Sequence, residues 1–318
     1  MENSEIRPCC LTIAGSDSGG NAGVQADLRA FHAYGLHGCT VFAALTAQNP
    51  FGVTAIHGVP ADFVAAQLDA VLGVYAIQAL KTGMLADPAA IDVIADRLAA
   101  HPEIAKVIDP VMVATSGARL VSDDAMKAIC AKLLPLATLI TPNLPEAETL
   151  CGRIVSDPNA ERAGDAAHAE RLARQIHETY GCAVLVKGGH GAGASAVDVL
   201  FDGRDVQTFA LPWVAKPVST HGTGCSLAAS LAAELALGRD LAAAVRGAKA
   251  FVHDAIATSY LVGPNGCGVL GFAPRSAGYV GVIAKSDECG EQNRTGLKVL
   301  ARRASASESD SRLAISRR

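Results

Sequence analysis

The feature that most constrains this chain is a repeated alternation of short apolar runs, polar glycine-rich segments and stretches with helical spacing. Cys10–Ala14, Thr40–Ala47, Ile77–Thr82, Lys106–Asp109, Leu139–Thr141 and Ala183–Lys187 read as short strands. Between them, Ala22–Tyr34, Asp62–Val74, Pro88–Ala100, Asp123–Leu134 and Ala163–Tyr180 space their apolar residues for helices. In the first helix Val24, Leu28 and Phe31 fall on one side. This βαβα order predicts an α/β protein with a mostly parallel central sheet covered on both faces by helices. Ala196–Phe201 and Val206–Leu211, parted by Asp202-Gly203-Arg204-Asp205, predict an antiparallel hairpin. Two helices, at about Gly224–Leu237 and Leu241–Thr258, close the domain. Hydrophobic residues make up 50% of the chain and charged residues 18%, enough for a sizeable core.

The periodic pattern fades beyond Phe272. Residues 1–272 therefore read as one domain, and 273–318 as a disordered tail with at most a short helix near Leu297–Arg303. The tail holds nine Lys/Arg against five Asp/Glu, a net of +4, and the rest of the chain 18 against 26, a net of −8. An acidic body argues against a nucleic-acid face, and the basic end reads as a solvated tail. Glu2 and Glu5 precede the first apolar run, a poor start for a signal peptide. No uncharged apolar stretch approaches the roughly 18 residues of a membrane span. The nine cysteines, at 9, 10, 39, 130, 151, 182, 225, 267 and 289, are odd in number and contain no CxxC pair. Neither a disulfide framework nor a cysteine-based zinc site is expected, and a reducing, cytoplasmic compartment is.

In an open α/β sheet ligands bind at the carboxyl ends of the strands. Six polar segments follow strands here, namely Gly15–Gly23, Gln48–Gly52, Lys81–Met84, Asp109–Met112, Thr141–Glu146 and Lys187–Gly191. The first, Gly15-Ser16-Asp17-Ser18-Gly19-Gly20-Asn21-Ala22-Gly23, is glycine-rich but is neither a Walker A loop nor a GxGxxG. It reads as ligand-lining or as a plain strand-to-helix turn. Ser219-Thr220-His221-Gly222-Thr223-Gly224-Cys225 runs straight into an Ala-rich helix. Free amides and the dipole at that helix start make an anion site, which would favour a thiolate at Cys225. The plain reading is a glycine-capped helix with an inert cysteine. His221 and Cys225 mimic a metal pair but lack a third ligand.

Asn143 and Glu146 stand three apart after a strand, either to meet a hydrated Mg²⁺ or as an N-cap with its partner in the first helical turn. Lys187, at a strand end beside glycines, suits a phosphate or simply solvent. Asp109, Lys81 and Gln48 singly read as ordinary strand-end residues.

Taken together and in order, seven segments resemble the hydroxymethylpyrimidine/phosphomethylpyrimidine kinases, members of the ribokinase superfamily. They are Gly15–Asp27, Ala47-Gln48-Asn49, Lys81-Thr82-Gly83-Met84, Asp109-Pro110-Val111-Met112, Thr141–Glu146, Lys187-Gly188-Gly189-His190 and His221-Gly222-Thr223-Gly224-Cys225. The resemblance covers roughly residues 10–262. It implies a ribokinase-like three-layer αβα fold, often a homodimer, with ATP and Mg²⁺ as cosubstrates. The implied substrate is 4-amino-5-hydroxymethyl-2-methylpyrimidine, and then its monophosphate, in thiamin biosynthesis. By position, Gln48 would hydrogen-bond the aminopyrimidine while Gly15, Asp17, Ala22, Met84 and Val111 line its pocket. Gly222, Thr223 and Gly224 would form the anion hole, with Cys225 accepting the hydroxymethyl proton. Lys187, Asn143 and Thr220 would serve the nucleotide, and Asp109 and Glu146 the metal and its waters.

Asn21 stands where the family usually has Gly, which implies a left-handed backbone angle there. Pro50-Phe51 stands where the family usually has small or polar residues, at the pocket edge. A pyridoxal/pyridoxine kinase shares the fold and chemistry and is the nearest rival. A non-catalytic pyrimidine-binding sensor is the rival from another class. A metal-dependent hydrolase lacks the His/Asp cluster it would need.

Overall fold

The computed structural model describes residues 7–112, 121–152, 166–188, 194–263 and 265–274. All but two residues of the expected tail lie outside these, as do Gly189, His190 and Gly191. The elements below belong to one unit, Pro8–Arg275.

In chain order they are β1 (Cys9–Gly15), α1 (Gly23–Ala33), β2 (His37–Asn49), β3 (Gly52–Gly58), α2 (Ala61–Leu72), β4 (Ile77–Thr82), α3 (Pro88–Ala99), β5 (Ala105–Ile108) and α4 (Asp123–Ala128). There follow β6 (Leu139–Ile140), α5 (Leu144–Leu150), α6 (Ala166–Tyr180), β7 (Ala183–Val186), β8 (Ser195–Phe201), β9 (Val206–Pro212), α7 (Thr223–Ala236), α8 (Leu241–Ala257), β10 (Tyr260–Val262) and β11 (Cys267–Val269). Nine strands form one sheet in the order β3-β2-β1-β4-β5-β6-β7-β8-β9. The pairings from β2 through β7 are parallel, whereas β3, β8 and β9 join antiparallel.

Strand alternation sends successive side chains to opposite faces, and two cores result. Cys9, Leu11 and Ile13 of β1 pack with α2, α3, α4 and α6. Cys10 packs on the other face with α1, α7 and α8. This is the expected three-layer αβα arrangement. Helix α7 is almost wholly buried, from Ser226 to Glu234. Small residues at Ala228, Ala229, Ala232 and Ala233 let it lie close to the sheet.

The alternating pattern left the strands β3, β10 and β11 unannounced. The strand β3 is exposed along most of its length, so it carries no buried-strand signature. The residues of β10 are exposed as well. The helix expected over Asp123–Leu134 stays α-helical only to Ala128, then widens into a π-helical turn at Ile129–Leu133 and a 3₁₀ turn at Leu134–Leu136. Pro135 explains the end, since it has no N–H and restricts the residue before it.

One charged pair lies inside this framework. Thr12 of β1 and Lys81 of β4 are register partners on adjacent strands, so both face α1. Asp27 of α1 meets them there: Lys81 Nζ donates to both carboxylate oxygens at 3.1 and 2.9 Å, and Thr12 Oγ1 donates at 2.6 Å. Both ion-pair side chains are fully buried. Burial alone would depress the Lys81 pKa, but the nearby acids, Asp27 first, hold it above its ordinary value. Breaking a buried pair from one side leaves an unpaired charge at a cost of about 3–5 kcal/mol. Lys81→Met should therefore lower the midpoint of denaturant unfolding sharply. The double variant Lys81→Met/Asp27→Leu should recover most of that loss.

Candidate active site

The carboxyl ends of β1, β4, β5, β6 and β7 open on one side of the sheet, and α7 starts there. The loop after β1 is built around Asp17, which is buried. Its Oδ1 accepts from the Gly19 amide at 2.8 Å, and its Oδ2 from the amides of Asn21 at 2.9 Å and Ala22 at 2.8 Å. His221 Nε2 approaches Oδ2 at 3.8 Å. Burial pushes the carboxyl upward, but His221 and these amides outweigh it and hold its pKa below the ordinary carboxylate value. Expected as a pocket wall, Asp17 thus shapes the loop that bears the pocket.

Asn21 does not take the left-handed angle expected of it. Among the described non-glycine residues only Lys216 has positive φ. The left-handed positions are taken by neighbouring glycines instead. Gly23 has φ +57°, and a Cβ there would lie 2.5 Å from the Gly15 carbonyl. Gly222 caps α7 at φ +88°, and a Cβ there would overlap the Asn21 carbonyl. The two loops thus interlock backbone to backbone, which only glycine permits.

Beyond Gly222, the amides of Thr223, Gly224 and Cys225 occupy the first turn of α7, where no intrahelical acceptor exists. No side chain caps this helix end. The segment expected to form the anion hole thus stands at an uncapped helix start. Gly224 also keeps the approach open to Lys187, since a Cβ on it would lie 3.9 Å from Lys187 Nζ.

Lys187 follows β7 and donates to Asp109 Oδ1 at 2.9 Å, while Thr141 Oγ1 donates to the same oxygen at 3.1 Å. Glu146 joins this group from α5. Asn143 caps α5 by accepting the Glu146 amide at 2.9 Å, and Glu146 Oε2 accepts the Asn143 amide at 2.9 Å. This reciprocal capping box is the plain reading of the pair, and it does not exclude the other. Glu146 Oε1 also takes the Met112 amide at 3.4 Å. Burial first, and Asp109 beside it, raise the Glu146 pKa against the pull of Lys187. Two buried carboxylates against one ammonium leave an all-oxygen, net negative donor set, which suits a hydrated Mg²⁺.

The pyrimidine side of the expected site is less tightly drawn. Gly15 touches Met84, for a Cβ on Gly15 would lie 2.6 Å from the Met84 Cε. Gln48 is half-buried near the end of β2, with its amide on Ser18 Oγ at 2.7 Å and its Oε1 accepting from Thr46 at 3.3 Å. Ala22 caps α1, and Val111 turns its amide back to the Asp109 carbonyl at 2.9 Å. Phe51, at the pocket edge, is 73% exposed. Thr220 is exposed and lends its carbonyl to the Thr223 amide at 3.4 Å.

Cys225 is half-buried and faces the Gly23 amide at the start of α1. The sequence placed a thiolate here, yet the thiol pKa is raised. Burial is the main cause, with Asp27 and Asp109 adding to it, and Lys81 only partly offsets them. The helix dipole does not overcome that desolvation. Cys225 rests as a thiol.

Residues given no site role from the sequence do much of the positioning. Lys81 and Asp27 stand behind Cys225. Asp198 of β8 takes the Gly188 amide at 2.9 Å and the Lys249 ammonium at 2.7 Å, fixing the segment that carries Lys187. A lysine closing an apolar strand, as in Ile77–Thr82, was the available signal.

Four comparisons bear on this geometry. The family model described as phosphomethylpyrimidine kinase matches residues 17–270. A hydroxymethylpyrimidine/phosphomethylpyrimidine kinase from Rhizobium meliloti is 47% identical over 249 residues, covering 78% of this chain and 90% of the relative. A crystal structure of phosphomethylpyrimidine kinase from Clostridium difficile superposes with TM-score 0.68 at 35% identity, covering 79% of this chain and 100% of that one. An ADP complex of Bacillus subtilis pyridoxal kinase superposes with TM-score 0.74 at 32% identity, covering 85% and 98%.

The Asp17 geometry predicts a pH signature. Its lowered pKa stabilises the fold above the unfolded value of about 3.9, and that gain is lost as pH falls through the folded value. The thermal midpoint of Asp17→Asn should lie well below that of the natural chain at pH 7. The two should converge as pH drops below about 4.

Proposed function

This chain belongs to the phosphomethylpyrimidine kinase family, and from that premise we propose that it transfers the γ-phosphoryl group of ATP to the hydroxymethyl group of 4-amino-5-hydroxymethyl-2-methylpyrimidine. It then phosphorylates the resulting monophosphate to the pyrophosphate, serving thiamin biosynthesis. The single observation that carries this reading is the meeting of the start of α7, which no side chain caps, with Cys225, Lys187 and Asp109 at one crest of the sheet. Among the solved structures, identity to the pyrimidine kinase, at 35%, also exceeds the 28–32% to the pyridoxal kinases, and pyrimidine-kinase relatives reach 41–47%.

In this reading the amides of Thr223, Gly224 and Cys225 receive the transferring phosphoryl oxygens. Their charge is neutralised where it develops, which is the larger part of phosphoryl-transfer catalysis. Lys187, whose own pKa is held up by Asp109 and Glu146 against burial, adds a fixed positive charge beside them. Asp109 and Glu146 would hold Mg²⁺, which would neutralise phosphate charge there. Gln48 offers its amide to the aminopyrimidine edge, and Gly15 and Met84 supply the apolar wall. Cys225 takes the hydroxymethyl proton from its minority thiolate form. With this reading go a cytoplasmic location and a homodimer, the latter checked by sedimentation.

Two measurements test it. Cys225→Ala should lower kcat by about 10²-fold or more while pyrimidine affinity is retained. Because the thiol pKa is raised, the kcat of the natural chain should climb with pH from neutrality into the alkaline range, and that climb should vanish in Cys225→Ala. Near-normal turnover in the variant removes Cys225 from proton transfer. A mass-resolved assay with ATP and Mg²⁺, in which hydroxymethylpyrimidine and pyridoxal compete, should give mono- and then diphosphorylated pyrimidine with little pyridoxal phosphate. Dominant pyridoxal phosphate moves the function to the vitamin B6 kinases. Pyrimidine binding with neither product marks a sensor.

A further inference from the structure

At the opposite end of the sheet from the kinase site, β1, β2 and β4 begin together. Cys9 opens β1 and is the register partner of His37, which opens β2. Cys39 is the register partner of Leu11, two positions on, so it projects to the same face as Cys9. The two thiols lie 3.5 Å apart. A ring nitrogen of His37 joins them, and the three potential ligand atoms all lie within 4.8 Å of one another. The lack of any CxxC pair argued against a cysteine metal site. That argument reads neighbours along the chain, whereas these ligands meet across strands.

We propose that Cys9, Cys39 and His37 form a binding site for a soft, thiolate-preferring divalent cation of the Zn²⁺ class. Two thiolates on a tetrahedral zinc ion, with Zn–S of about 2.3 Å, stand about 3.8 Å apart, so the thiols here are already close to ligand spacing. The frame that holds them is rigid. Parallel pairing fixes both strands, and the Cys9 amide is tied to Gln78 Oε1 at 2.5 Å. The thiols are buried, whereas His37 is exposed and stacks on Tyr75 at 5.4 Å between ring centroids with 20° between planes. The cation enters from the His37 side, and its fourth position is left to water. Each thiol gives up one proton to solvent as its sulfur bonds to the metal, so two protons are released per ion bound. The length of β1, seven residues at about 3.3 Å each, separates this site from the loop around Asp17. The ion therefore acts as a staple at the foot of the sheet and takes no part in phosphoryl transfer.

The test uses the full chain, reduced and stripped of metal by a chelator, titrated with Co²⁺ and then with Zn²⁺. One equivalent of Co²⁺ should produce a thiolate-to-cobalt charge-transfer band that Zn²⁺ abolishes. Cys9→Ser and Cys39→Ser should each remove that equivalent, while Cys225→Ala should keep it. His37→Ala changes only an exposed side chain and is expected to fold. It should weaken Co²⁺ binding by about 100-fold, as loss of a ligand should match or exceed the loss of a supporting partner. Zn²⁺ should raise the thermal midpoint of the natural chain and not that of His37→Ala. A band that is absent, or that survives unchanged in Cys9→Ser, Cys39→Ser and His37→Ala, overturns the site. So does a Cys9–Cys39 disulfide in the protein as isolated, with no metal taken up after reduction.

Discussion

The charge on Lys81 is held inside the sheet, and much of the active end depends on it. An ammonium in a parallel strand, fully enclosed, stands only because Asp27 reaches it from α1 and Thr12 supports that carboxylate from the adjacent strand. The pair orients α1 against the sheet. In doing so it sets the start of α1, where the Gly23 amide meets Cys225. A row of alternating charge then runs along the crest, with Asp27, Lys81, Cys225, Asp109, Lys187 and Glu146 each feeling its neighbours. Such a row is costly to bury, and it is tolerated because its ionised members face partners of opposite sign while Cys225 stays a thiol.

That row explains the tension at Cys225. A thiolate would add a second negative charge beside Asp27 and Asp109 in a place already short of water. Lys81 and the Gly23 amide lower the cost without cancelling it. The resting thiol therefore suits a chemistry in which the substrate proton departs late, after bond breaking to the leaving oxygen is well advanced. In the proposed reaction the fixed amides of α7 carry the greater share of the work, since they would act on the phosphoryl charge whatever the state of the sulfur.

Much of this was legible in the sequence, for reasons that differ by element. The core strands, such as Ile77–Thr82, announce themselves because both faces are buried and the apolar run is continuous. The loop glycines announce themselves because backbone crowding admits nothing larger at Gly23 and Gly222. The exposed strand β3 and the residues Asp27, Lys249 and Asp198 did not. A buried ion pair is two ordinary letters far apart in the chain, and only the register that sets Thr12 beside Lys81 reveals it. The same blindness hid the cluster of Cys9, Cys39 and His37. The left-handed angle expected at Asn21 failed because the glycines around it absorb the turn.

The interlock of Gly222 with the Asn21 carbonyl has a consequence for how the protein comes into being. The loop after β1 leaves the ribosome early, but the helix that completes it is made about two hundred residues later, a long-range closure of the kind that slows folding. Until α7 has emerged, the Asp17 loop lacks the backbone it packs against. The loop after β1 thus takes its final shape well after its own synthesis, once Gly222 has been made.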